Sequence, residues 1–346
     1  MSGFNARPHP GPLPQGEGDD ALLQRAASWP NHVALESLDA AALRQITKEQ
    51  GVDFATALLF DRLTKSPRHS AFIQRINALR NAPPSCARPR IDARVVIVPA
   101  ALYVERPDMG SDGRQIREAA EAFGCRTGLV PLDSLGSVSE NARRLAAWLA
   151  QQRDEKLILV SLSKGGAELK LALAAPDAPR LFRNVLAWIN VCGPLDGSPM
   201  ADWILASRVR TWLMRFQYWV QRRDFGFISE LRHGPPSKLN FPLRPPPGMK
   251  MISLVGFPLR RHMTTPFSRF CHRTLSARGP NDGTVLLSDA IHWPGEVYPV
   301  WGTDHYFRPE SRARELITAV LLHLAEGFMG ESGHRPSAIA RENVRV

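Results

Sequence analysis

The sequence predicts an α/β fold: a mostly parallel β-sheet with helices on both faces, carrying a helical cap insertion and preceded by an N-terminal helical arm. Three observations carry that expectation. From residue 94 onward, short β-branched runs alternate with longer helix-spaced segments. The alternation stops between Gly193 and Pro247 and then resumes, and residues 37–80 show helical spacing throughout. Strands separated by helices need crossover connections, which set neighbouring strands parallel and cover both faces of the sheet.

Residues 1–18 interleave Pro8, Pro10, Pro12 and Pro14 with glycine. That pattern holds neither a helix nor a ladder, so a disordered N-terminus is expected. Residues 19–81 form the arm. There Leu38, Ala42 and Ile46 recur every four residues, Gly51 supplies a stop, Asp53 can cap the following helix, and Pro67 separates it from a third. A Pro-rich joint at 82–89 leads into the main domain, 90–327. Its strands are expected at 94–98, 127–132, 156–162, 185–191, 251–255 and 297–301. Its helices are expected at 113–123, at 139–151 with Ser137 or Ser139 as cap, at 165–174 and at 312–325. The insertion occupies about 194–248, and 328–346 reads as a flexible tail.

Composition narrows the function classes. A chain of 346 residues with 44% hydrophobic content can bury a sizeable core, which excludes collagen, a disordered chain and a small disulfide scaffold. The longest apolar run, 316–325, is too short to span a bilayer and contains His323, so a soluble chain is expected. Cys86, Cys125, Cys192 and Cys271 lie far apart without a Cys-x-x-Cys pair, and no charged-then-apolar segment opens the sequence. Both features fit a reducing cytoplasm. The net charge of +11 is concentrated: residues 200–275 hold 13 Lys and Arg against Asp202, Asp224 and Glu230. Nucleic-acid binding is not expected, because no Cys/His finger, heptad-bearing basic region or RNP-like strand accompanies the charge.

At the end of the third expected strand stands Ser161-Leu162-Ser163-Lys164-Gly165-Gly166, followed at once by helix-spaced residues. A serine on a sharp strand-to-helix turn needs small residues two before and two after it, because the strained backbone brings those positions against neighbouring elements. Ser161 and Gly165 fill both places. The turn exposes a hydroxyl at the carboxyl edge of the sheet, beside free N–H groups of a helix N-terminus. A competing Ser-x-x-Lys motif, Ser161 with Lys164, places its serine on the strand rather than on a helix and lacks the motifs that accompany that chemistry.

A hydroxyl nucleophile needs an imidazole to take its proton and a carboxylate to orient that imidazole. Between the last two strands lies Gly279-Pro280-Asn281-Asp282-Gly283-Thr284-Val285, and after the final strand Gly302-Thr303-Asp304-His305. The order Ser, Asp, His is the one associated with this kind of turn. Asp282 also suits a plain turn, Asp196 after the fourth strand is the other candidate acid, and Asp304 suits a local cap. His262, Cys271 and His272 have no second well-spaced pair with which to hold a metal, so no metal site is expected.

Over residues 92–327 the chain resembles the α/β-hydrolase superfamily of serine esterases and lipases, on the elbow at 161–166, the Asn-Asp-Gly-Thr-Val loop and the Gly-x-Asp-His ending. The resemblance implies an α/β-hydrolase fold with Ser163 as nucleophile, Asp282 as acid and His305 as base. It places the oxyanion hole at the N–H groups of Lys164 and Ala101, although Ala100 stands where relatives often carry glycine. The implied activity is cleavage of a small-molecule carboxylic ester or thioester without a cofactor. The insertion, with Trp203, Trp212, Phe216 and Trp219 as substrate cap, is expected to put its apolar stripe over an acyl pocket, its arginines facing solvent or an anionic membrane. The alternative is a catalytically silent relative that binds an acidic partner or a membrane surface through the basic cap.

Overall fold

The computed structural model describes residues 18–29, 34–82, 91–152, 154–220, 225–235, 237–307 and 311–332. The expected disordered N-terminus and the joint fall almost wholly outside the described residues, as do Cys86 and most of the expected tail.

The arm consists of α1 (Asp19–Ala27), α2 (Ala40–Gln50), α3 (Val52–Lys65) and α4 (Ser70–Asn81). Asp39 caps α2, accepting from the N–H groups of Ala41 and Ala42 at 2.9 and 2.8 Å. The cap expected at Asp53 is not formed, because α3 already begins at Val52. Asp53 instead lies in the first helical turn, near the positive end of the helix dipole, and accepts from the Arg260 N–H at 2.9 Å.

The main domain follows as β1 (Arg94–Val98), α5 (Arg114–Ala122), β2 (Arg126–Leu129), α6 (Val138–Gln151), β3 (Leu157–Leu162), α7 (Lys164–Leu173), α8 (Ala178–Leu181) and β4 (Val185–Val191). Then come α9 (Pro199–Leu205), α10 (Arg208–Val220), α11 (Gly226–Glu230), β5 (Lys250–Phe257), α12 (Pro266–Leu275), β6 (Glu296–Trp301) and α13 (Ser311–Ser332). The six strands form one sheet in the order β2-β1-β3-β4-β5-β6, and every ladder is parallel. Ser137, rather than Ser139, caps α6. Two boundaries differ from expectation by three residues or more. Strand β2 stops at Leu129: Val130 still donates to Ile97, but Pro131 has no N–H with which to continue the ladder. Helix α13 runs to Ser332, so residues 328–332 of the expected tail are helical.

Strand alternation divides the core in two. Val96, Val98, Leu157 and Leu159 face one side with α6 and α7, while Val95, Ile97, Ile158 and Val160 face the other with α5 and α13. The arm joins both layers. Helix α3 buries Phe54, Leu58, Leu59 and Leu63 in the first, and α4 buries Phe72, Ile73 and Ile76 in the second. Each such side chain contributes on the order of 1.5–3 kcal/mol by leaving water.

The turn between α3 and α4 also closes the β6 edge. Arg68 donates to the carbonyls of Ile291, Trp293 and Gly295, and the Val297 N–H donates to His69 Nδ1 at 3.3 Å. Burial, helped by the neighbouring Arg68 charge, lowers the His69 pKa to about 4, which keeps the ring neutral and able to accept.

Candidate active site

Ser163 follows β3 by one residue and takes φ 44° and ψ −119°, a strained backbone for a residue with a Cβ. Its N–H donates to the Val191 carbonyl at 3.0 Å, tying the turn to the end of β4. Gly165 is required there, because a Cβ at that position would lie 2.4 Å from the Val98 carbonyl oxygen. Ser161 is buried within β3, donating to Asn190 Oδ1 at 3.2 Å and accepting from Trp188 Nε1 at 2.8 Å.

The loops after β5 and β6 converge on this serine. Ser163 Oγ lies 2.8 Å from His305 Nε2, and His305 Nδ1 lies 2.9 Å from Asp282 Oδ2. The other oxygen of Asp282 accepts from the N–H groups of Thr284 and Val285 at 2.8 and 2.7 Å, and its carbonyl accepts from the His305 N–H at 3.0 Å. One side chain therefore organises the turn and faces the imidazole. Burial opposes a charge on His305, but the charge and hydrogen bond of Asp282, with the charge of Asp304 behind them, outweigh it and hold the pKa above the ordinary histidine value. Asp304 Oδ1 accepts from the Tyr306 N–H at 3.0 Å. Asp196 is engaged elsewhere, accepting from Lys170 Nζ at 2.9 Å and Trp293 Nε1 at 2.7 Å.

Among the described residues, the non-glycine positions with positive φ are Leu102, Ser163, Cys192 and Phe307. All four lie in loops that follow the carboxyl ends of β1, β3, β4 and β6, so backbone strain collects at the end of the sheet where the serine sits. Close approach shapes the same end. Gly256 in β5 is passed by the loop carrying His305, and a Cβ there would meet the Thr303 carbonyl oxygen at 2.4 Å. A glycine inside the run Lys250–Phe257 is the sequence signal for that approach.

A cavity of about 570 Å³ opens over Ser163 and His305, and its walls include Lys164, Ala101, Leu102 and Trp203. The Ala100 N–H is engaged with the Ser111 carbonyl at 3.0 Å. The side chain of Lys164 turns inward and is buried. Its Nζ lies 2.6 Å from Glu168 Oε1, which also accepts from Asn141 Nδ2 at 2.7 Å. Burial raises the Glu168 pKa to about 6 against the opposing pull of Lys164. The four-residue spacing of Lys164 and Glu168 on a helix was the available sequence signal for this pair.

Of the four aromatic residues expected to cap the site, Trp203 lines the cavity, whereas Trp212, Phe216 and Trp219 do not and are exposed. Helix α10 presents Arg210, Met214 and Tyr218 to the cavity instead. The reason lies in their neighbours: the Arg210 guanidinium sits 3.9 Å over the Trp203 ring, and Tyr218 packs on Phe225 and Phe227 at 6.0 and 5.7 Å. Cys271 and His272, for which no metal role is expected, are buried on α12, and His262 Nδ1 accepts from the Leu259 N–H. Among the described residues no group of three or more His, Cys, Asp or Glu side chains could hold a metal ion, and no helix is long and apolar enough to cross a membrane.

A parallel six-stranded sheet covered on both faces, with a serine elbow after β3 and a histidine loop after β6, is the α/β-hydrolase fold, and a solved structure shares it. A metagenomic carboxyl esterase is 21% identical over 71% of this chain and 80% of its own, with a TM-score of 0.52. The mature lipase BlEst2 of Bacillus licheniformis is 23% identical over 72% of this chain and 94% of its own, with a TM-score of 0.47. At 21% identity the likeness to the esterase is one of fold. No protein-family model matches the chain, and no curated protein does.

Proposed function

We propose that the protein hydrolyses a carboxylic ester or thioester through an acyl-enzyme on Ser163. The observation that carries this reading is the continuous relay from Ser163 Oγ to His305 Nε2 at 2.8 Å and from His305 Nδ1 to Asp282 Oδ2 at 2.9 Å, set in the floor of a largely apolar cavity. With Asp282 holding the Nδ1 proton, Nε2 is free to accept the hydroxyl proton of Ser163 as Oγ attacks the substrate carbonyl carbon. The tetrahedral oxyanion faces the N–H groups of Lys164 and Ala101. Collapse expels the alcohol or thiol, which takes the proton back from the imidazolium. Water then loses a proton to His305 and attacks the acyl carbonyl, and as the bond to Oγ breaks the imidazolium returns the proton to Ser163, releasing the acid and the free serine. The insertion α9–α11 acts as the cap, with Trp203, Met214 and Tyr218 as the acyl wall.

A fluorophosphonate probe tests the nucleophile, and a panel of p-nitrophenyl and acyl-CoA esters of graded chain length tests the substrate class. Ser163→Ala is expected to abolish labelling and to lower turnover on the order of 10⁶-fold while leaving the fold intact. Labelling that persists in Ser163→Ala, or that maps to Ser161, overturns the assignment. A wild type that takes no label points to the silent relative.

A further inference from the structure

Eight of the ten large hydrophobic side chains left exposed among the described residues sit on two helices that both pack on α9. Six are on α10: Val209, Trp212, Leu213, Phe216, Trp219 and Val220, with Trp219 72% exposed. The rings of Trp212 and Phe216 stack at 5.6 Å, and Trp219 continues the row at 5.9 Å. The other two, Phe267 and Phe270, are on α12. Trp203 joins the helices, lying beneath the Arg210 guanidinium and 5.4 Å from the Phe270 ring. Apolar patches this concentrated mark sites of association.

Two further observations identify the occupant. Neither helix carries an acidic side chain, whereas Arg208 and Arg215 on α10 and Arg269 and Arg273 on α12 are exposed around the apolar row. Exposed Leu213, Phe267 and Phe270 also line the cavity over Ser163, so the apolar patch borders the cavity that holds the nucleophile. Tryptophan and arginine around an apolar stripe suit the headgroup region of a bilayer, where the rings enter the acyl boundary and the cations meet lipid phosphate. A protein partner would match the patch but would give the cavity nothing to receive, whereas a lipid supplies it with an acyl chain.

We propose that α10 and the first turns of α12 dock the protein on an anionic lipid bilayer, with the cavity mouth facing the membrane so that acyl esters enter from it; the last clause rests on the hydrolase reading above. The test is flotation of the full chain with vesicles of phosphatidylcholine alone or with one quarter phosphatidylglycerol. Binding is expected to be strong on the anionic vesicles, weak on the neutral ones and reduced by salt. Arg208→Gln with Arg215→Gln is expected to weaken it roughly 30-fold, since each cation near an anionic leaflet is worth about fivefold. Trp212→Ser with Phe216→Ser and Trp219→Ser is expected to weaken it at least about tenfold. Both variants should cleave a short soluble ester as the wild type does, because none of these five residues lines the cavity. Ser163→Ala should still float, which separates the surface from the chemistry: a wild type that binds vesicles but cleaves no ester overturns the hydrolase reading alone. Equal binding to neutral and anionic vesicles overturns the proposal. So does self-association, seen by light scattering and abolished in the aromatic variant, in a protein that ignores vesicles.

Discussion

Asp282 spends both carboxylate oxygens, one on the N–H groups of its own turn and one on His305, and so its removal has two separable effects. Asp282→Asn is expected to keep the fold while turnover falls roughly 10⁴-fold, because the imidazole loses the partner that fixes its tautomer. Asp196→Asn should act far less on turnover, since Asp196 faces Lys170 and Trp293. The pH profile carries the same information. A base must be neutral to act, and His305 holds its proton above the ordinary value of 6.5, so kcat/KM should be lost as pH falls through a midpoint above 6.5. In Asp282→Asn the charge and the charged hydrogen bond of Asp282 disappear and burial, which lowers the pKa, is opposed only by the Asp304 charge, moving the midpoint down. An unmoved midpoint would assign the titration to another group.

At the scale of elements, α7 is held by a charge pair that its own first turn creates. Lys164 and Glu168 are both buried, and Asn141 on α6 fixes the carboxylate from the other side. Breaking a buried pair leaves a charge that nothing offsets, at a cost of about 3 kcal/mol or more. Lys164→Met should therefore lower the stability measured by urea denaturation, most at alkaline pH and least in acid, where Glu168 is protonated with or without its partner. In the wild type the same shift has a defined sign: the folded pKa, about 6, lies above the ordinary 4.5, so this group's contribution to stability falls as pH rises between those values. Lys164→Met with Glu168→Met should recover most of the loss. Helix α10 teaches a different lesson. Its periodic apolar stripe was plain in the sequence, yet Met214 and Tyr218 offer a second face, and packing on Trp203, Phe225 and Phe227 selected that one.

Taken whole, the molecule does not divide cleanly after the arm. Helices α1 to α3 belong to one core layer and α4 to the other, and the turn between α3 and α4 holds the β6 edge through Arg68 and His69. A chain lacking residues 19–81 would uncover Phe257 and Val297 on one face and Tyr298 and Val300 on the other. It is expected to bind the dye ANS and to lose near-ultraviolet circular dichroism while keeping much of its far-ultraviolet signal. A cooperative unfolding transition in that fragment would make the arm an accessory.

The sequence by itself determined the alternation of strands and helices, and it offered Ser163, Asp282 and His305 as candidates. Those features are local: strand and helix periods show within a few residues, and an elbow or an Asn-Asp-Gly turn is written in its immediate neighbours. What only the tertiary structure decided was every choice between two local possibilities. It put Asp282 rather than Asp196 beside His305, turned the Lys164 side chain onto Glu168, and sent the aromatic stripe of α10 outward. The first outcome joins residues far apart in sequence, Asp282 and His305, and the other two turn on nearer neighbours, Glu168 for Lys164 and Trp203, Phe225 and Phe227 for α10. In each case the distances that choose between them exist only once the elements have packed.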